Sequence, residues 1–96
     1  MGIADVVSGK RDDILRIAAQ HGVQRIRVFG SVARGDAGPQ SDVDFLVDVG
    51  PHHSSFFPGG LVADLEALLG RRVDVVELDG LYAPLRDTVL NEVVPL

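Results

Sequence analysis

The chain has 96 residues, a length that fits one small domain over residues 1–96 and leaves no room for a second. It has no cysteine, which excludes disulfides and thiolate metal sites, and a net charge of −5 with Lys10 as its one lysine speaks against nonspecific binding to a nucleic-acid backbone. No apolar run nears the roughly 20 residues of a membrane-spanning helix and the N-terminus lacks a secretory layout, so a cytoplasmic location is expected.

The pattern along the chain predicts a helix over residues 8–20. Ser8 is its expected N-cap, Asp12 and Asp13 sit where the helix dipole favours anions, and Ile14, Ile17 and Ala18 form its apolar stripe. Arg25–Phe29 alternates polar and apolar residues, as a half-buried strand does, and ends abruptly at Gly30-Ser31. A short helix over 31–34 follows, then a turn-rich loop to Gln40. Asp42–Val49 is the clearest strand: Val43, Phe45, Val47 and Val49 take one face, and Asp42, Asp44, Leu46 and Asp48 the other. A Gly-, Pro- and Ser-rich loop spans 50–60, a helix 61–69, a third strand 72–78, and a last helix starts near Ala83-Pro84. In that last helix Leu85, Thr88, Val89 and Val93 are spaced to pack inward, and Pro95 is expected to close it. The expected fold class is α/β (α+β): a small mixed β-sheet flanked by helices. With 46% hydrophobic residues a core can form, although so short a chain buries a modest share of its surface and gains from a partner.

Three features point to chemistry. A Gly-Ser bend between strand and helix lets the backbone approach a ligand and presents amide N–H groups to phosphate, with the Ser31 hydroxyl beside them. Asp42 and Asp44, two apart on a strand, aim their carboxylates to one side, where repulsion is relieved by a divalent cation with oxygen ligands. If the third strand pairs beside the second, Asp74 faces the same side. Three carboxylates next to a phosphate-binding bend describe a two-metal centre for phosphoryl or nucleotidyl transfer.

The string Phe29-Gly-Ser-Val-Ala-Arg-Gly-Asp36, the ten-residue spacer from Ser31, and Ser41-Asp-Val-Asp-Phe-Leu-Val47 closely resemble the signature of the DNA polymerase beta-like nucleotidyltransferases, in particular their minimal (MNT) branch. Leu68–Val76, with Asp74, is similar to a later stretch of that branch. The resemblance implies that Gly30 and Ser31 hold the β- and γ-phosphates of a nucleoside triphosphate and that Arg34 contacts them. It implies Asp42 and Asp44 as ligands of two Mg2+ ions, and Asp74 as a ligand of the catalytic ion that helps deprotonate the attacking hydroxyl. It further implies an antitoxin that transfers AMP from ATP to a tyrosine of a HEPN toxin. Two other functions stand beside it: an antitoxin that neutralises its partner by occlusion alone, and the nucleotide-binding subunit of a small-molecule nucleotidyltransferase.

The remaining polar residues have plainer readings. Asp48 is expected in solvent, Asp36 in a loop, and Arg25 and Arg27 on a solvated stripe. Arg34 has two possible ion-pair partners, Asp36 and Asp42, besides a substrate. His52 and His53 point oppositely on an extended chain and lack further zinc ligands, which favours a solvated loop. Phe56 and Phe57 have three possible roles: anchoring that loop, stacking on a base, or facing a partner. An oligomer through a sheet edge or the helix from Pro84 to Val94 is also open.

Overall fold

The computed structural model describes residues 1–51 and 57–96. The sheet is built by β1 (Val23–Phe29), β2 (Val43–Val49), β3 (Val73–Glu77) and a two-residue β4 (Val94–Pro95), in the order β3-β2-β1-β4. β2 runs antiparallel to β1 and parallel to β3, and β4 pairs antiparallel with β1. The parallel pair requires a crossover, which α4 (Gly59–Leu69) supplies. The sheet is therefore mixed, as the pattern predicts.

Period-two alternation decides which face becomes the core. Val28 lies opposite Phe45 and Ile26 opposite Val47, while Val43 pairs with Val73. These side chains are buried together with Ile14, Ile17 and Ala18 of α2 (Arg11–Gln20), Leu61, Leu65 and Leu69 of α4, and Val32 of α3 (Gly30–Arg34). Burying a Val, Leu or Phe side chain contributes about 1.5–3 kcal/mol, so this face carries much of the stability. His21, just after α2, ties that helix to α4 through Nε2–Asp64 Oδ2 at 2.7 Å.

Several expectations fail. Ser8 caps no helix; it ends a short α1 (Ile3–Val7), and α2 begins after Lys10. Val6 and Val7 of α1 are buried, so core packing holds this segment, helped by Asp5, whose Oδ2 accepts the Gly2 N–H at 2.8 Å. After β3 the chain turns through a 3-10 segment, Leu78–Gly80. The last helix, α5 (Ala83–Glu92), does start at its proline but has no buried residue: Leu85 and Thr88 are exposed, and Val89 and Val93 half-buried. Pro95 does not close it, because Val94 and Pro95 pair instead with Val28 and Arg27.

The polar readings change too. Arg27 is buried, not solvated, and its Nη2 donates to Asp48 Oδ1 at 2.7 Å, so Asp48 is a shielded partner rather than a free surface acid. Pairing offsets the cost of enclosing either charge on the face shared with fully buried Leu46. Phe57 is half-buried and packs against the core. His52, His53 and Phe56 lie outside the described residues.

Candidate active site

The strand directions bring one end of β1 and the starts of β2 and β3 to the same edge of the molecule. At that edge, on the face opposite the core, Phe29 is registered with Asp44 and Asp44 with Asp74. Asp42 lies one residue before β2. The two sequence-distant acids Asp44 and Asp74 thus become lateral neighbours, as their assignment to adjacent strands predicts.

Their surroundings keep these charges uncompensated. Neither Asp44 nor Asp74 forms an ion pair with a described residue; Asp42 is drawn to Arg72, with Nε to Oδ1 at 3.2 Å. Burial, then the charges of Asp74 and Asp42, push the Asp44 carboxyl up from 3.8 to about 6. Among the described residues no three acidic or imidazole side chains are gathered closely enough to hold a metal ion without rearrangement. The registered pair and the raised Asp44 nonetheless fit a hard divalent cation, since the donors are all carboxylate oxygens and their mutual repulsion is what a cation relieves.

The bend lies directly against the acids. Gly30 has φ +73°, and a Cβ placed there would come within 2.3 Å of Asp44 Oδ2. Glycine is required on both counts: the left-handed conformation and the close approach. Gly35, at φ 83°, ends α3. The Ser31 side chain is half-buried and makes no hydrogen bond to a described residue. Arg34 reaches Asp36 (Nε–Oδ2 3.3 Å) and Glu92 (Nη1–Oε2 3.2 Å), not Asp42. These partners, Asp36 first, push its already high pKa further up.

Three contributors escape the sequence reading. Glu92, the last residue of α5, accepts the Gly30 N–H at 3.0 Å with Oε1. The one clue to it is that an acid at a helix C-terminus is unfavourable with the helix dipole, so its partner must come from elsewhere. Arg71 donates through Nη2 to the carbonyls of Gly38 (2.7 Å) and Ser41 (2.9 Å), fixing the turn that delivers Asp42. Glu66 accepts the Val73 N–H at 3.0 Å and so sets the start of β3 beside Asp74. Arginine and glutamate near a helix end and a strand start carry no pattern that separates these contacts from solvated charges.

Known proteins share this architecture. Residues 11–96 match the family model described as Nucleotidyltransferase domain. The chain is 49% identical over 73 residues to the protein adenylyltransferase MntA of Thermococcus cleftensis, covering 76% of this chain and 74% of that protein. A candidate minimal nucleotidyltransferase of known structure superposes with a TM-score of 0.86 at 43% identity, over 100% of this chain and 97% of its own. The fold also matches a chain in the complex of tri-AMPylated Shewanella oneidensis HEPN toxin with MNT antitoxin, at TM-score 0.67 and 21% identity over 97% of this chain and 71% of that one. The family uses divalent metal as a class. With its registered aspartates beside a glycine-serine bend, the chain belongs to the nucleotidyltransferase-domain family, in its minimal branch.

Proposed function

We propose that the chain transfers AMP from ATP to a tyrosine hydroxyl of a HEPN toxin and acts in the cytoplasm as the antitoxin of that pair. The observation that carries this reading is the in-register placement of Asp44 and Asp74 on one face, against a bend where only glycine fits. The relatives' names as protein adenylyltransferase and MNT antitoxin supply the acceptor class.

In this reading the Gly30 N–H and the Ser31 hydroxyl donate to the β- and γ-phosphates, and Arg34 neutralises part of their charge. Asp42, Asp44 and Asp74 would hold two Mg2+ ions, which would supply Lewis-acid stabilisation of the charge that develops during transfer. Asp74 orients the acceptor hydroxyl and takes up its proton. The tyrosine oxygen bonds to the α-phosphorus as the bond to pyrophosphate breaks, in line. Arg71 and Glu66 keep the acids in place by fixing the backbone on either side of them.

The test is incubation of the full chain with magnesium, α-labelled ATP and its HEPN partner. The expected result is label on a toxin tyrosine and loss of toxin activity, both abolished by Asp42→Ala with Asp44→Ala. If that double variant still neutralises the toxin fully, occlusion and not transfer is the mode of action.

A further inference from the structure

One contact in the site works against the proposed reaction. Glu92 holds the Gly30 N–H at 3.0 Å and approaches Arg34 Nη1 with both oxygens, at 3.4 and 3.2 Å. A backbone N–H has one hydrogen to give, and an anion that takes it excludes a second. A carboxylate and a phosphate oxygen make the same demands: a charge-assisted bond from an amide and a guanidinium at short range. Resting on the reading that Gly30 and Arg34 receive the triphosphate, we propose that Glu92 is a built-in competitor of the nucleotide, a carboxylate latch that must leave the bend before the phosphates can enter.

The attachment of the latch fits such a role. Glu92 ends a helix with no buried residue, and α5 is continued by a β4 of two residues on the sheet edge. Beyond the latch itself, the far end is tied by Arg11, whose guanidinium donates to the Leu96 carbonyl at 2.8 Å through Nε. An element with so little apolar burial opens locally at small cost compared with the strands beneath it. Closure also brings the Glu92 carboxylate onto the same bend that abuts the Asp44 side chain, placing two acids around one glycine. The latch thus has two stable demands on it: donors that attract it and carboxylates that repel it.

The affinity of a ligand for a partly closed site is reduced to the fraction of molecules that are open. Releasing the latch therefore tightens binding by at most one plus the closed-to-open ratio. For a half-exposed ion pair with one amide bond we expect about three- to tenfold.

The experiment is calorimetric binding of ATP with magnesium to the full chain, alongside Glu92→Gln, Glu92→Ala, Ser31→Ala and Arg34→Ala, with amide hydrogen exchange of Asn91–Val94 with and without nucleotide. Expected are tighter ATP binding in both Glu92 variants and weaker binding in Ser31→Ala. In the unaltered chain nucleotide should speed exchange at Asn91–Val94; in the Glu92 variants exchange should already be fast and indifferent to ATP. Unchanged or weaker ATP binding in both Glu92 variants, with Ser31→Ala still weakened, overturns the latch and leaves the phosphate site standing. Tighter binding without any nucleotide effect on exchange also overturns it, since Glu92 would then act only as a distant charge. If Ser31→Ala and Arg34→Ala both bind ATP normally, the phosphates lie elsewhere and latch and site fall together.

Discussion

Asp44 and Asp48 stand four residues apart on the same face of one strand, in opposite surroundings. Asp48 is met by Arg27 at 2.7 Å and lies 4.0 Å from Arg25, so its charge is compensated and serves the fold. Asp44 is placed beside Asp74 and against the Gly30 bend, with no arginine in contact and its carboxyl pushed up to about 6. The two ends of β2 teach that a reaction centre is recognised by where the fold withholds compensation. An acid count along the strand cannot distinguish the ends; the neighbours can.

The comparison can be broken most severely at the uncompensated end. Asp42→Asn with Asp44→Asn should lower label transfer by about 10³-fold or more, because the two carboxylate charges proposed to hold the cation are lost while the core face is untouched. The same measurement on Asp48→Asn should show a change of less than about threefold if compensation marks a structural acid, since loss of an ion pair away from the site alters stability and not transfer.

Gly30→Ala forces a side chain into left-handed backbone and against the Asp44 carboxylate. It should cost about 2–4 kcal/mol in urea unfolding and abolish ATP binding even where the chain stays folded.

At the compensated end, Arg27→Met leaves Asp48 without its partner in a shielded place. A loss of about 1–3 kcal/mol is expected by thermal or urea melts, reduced from the fully buried case because Asp48 keeps some solvent contact. Adding Asp48→Leu should recover much of it; failure of that recovery would mean that Arg27 acts by packing and not by charge.

The smallest effect has the opposite sign. In the folded chain burial and the neighbouring acids push the Asp44 carboxyl up from its ordinary 3.8 to about 6. The folded state thus holds this proton more tightly, so its stabilising contribution is complete below about 3.8 and disappears as pH rises through about 6. With divalent cations chelated, Asp44→Asn should therefore melt a few degrees higher than the unaltered chain at pH 8 and equally at pH 3.5. A lower melting point at pH 8 would show that the carboxylate is compensated after all.

Much of the site was legible because its parts are local or periodic. Gly30-Ser31 reads as a bend from two residues, and Asp42, Asp44 and Asp74 are assigned to one face by the alternation of valines around them. Sheet membership of the three long strands follows from the same alternation. What escaped depends on tertiary context. Arg27 looks like a surface residue until Asp48 is found across the strand pair. Glu92 reads as one more helix-end charge until the C-terminal helix is laid over the bend. Leu85 and Thr88 obey helical spacing for an inward face that the helix does not have, and a two-residue strand such as Val94–Pro95 is too short to leave any periodic trace.

The crossover through α4 has one more consequence. The paired carboxylates belong to segments about thirty positions apart, joined through α4, and they meet only because β3 pairs in parallel beside β2. Without Val73–Glu77 the bend keeps Asp42 and Asp44 but lacks Asp74. The candidate site therefore exists only in the completed sheet, and a truncation that removes the parallel strand removes the Asp44–Asp74 pair with it.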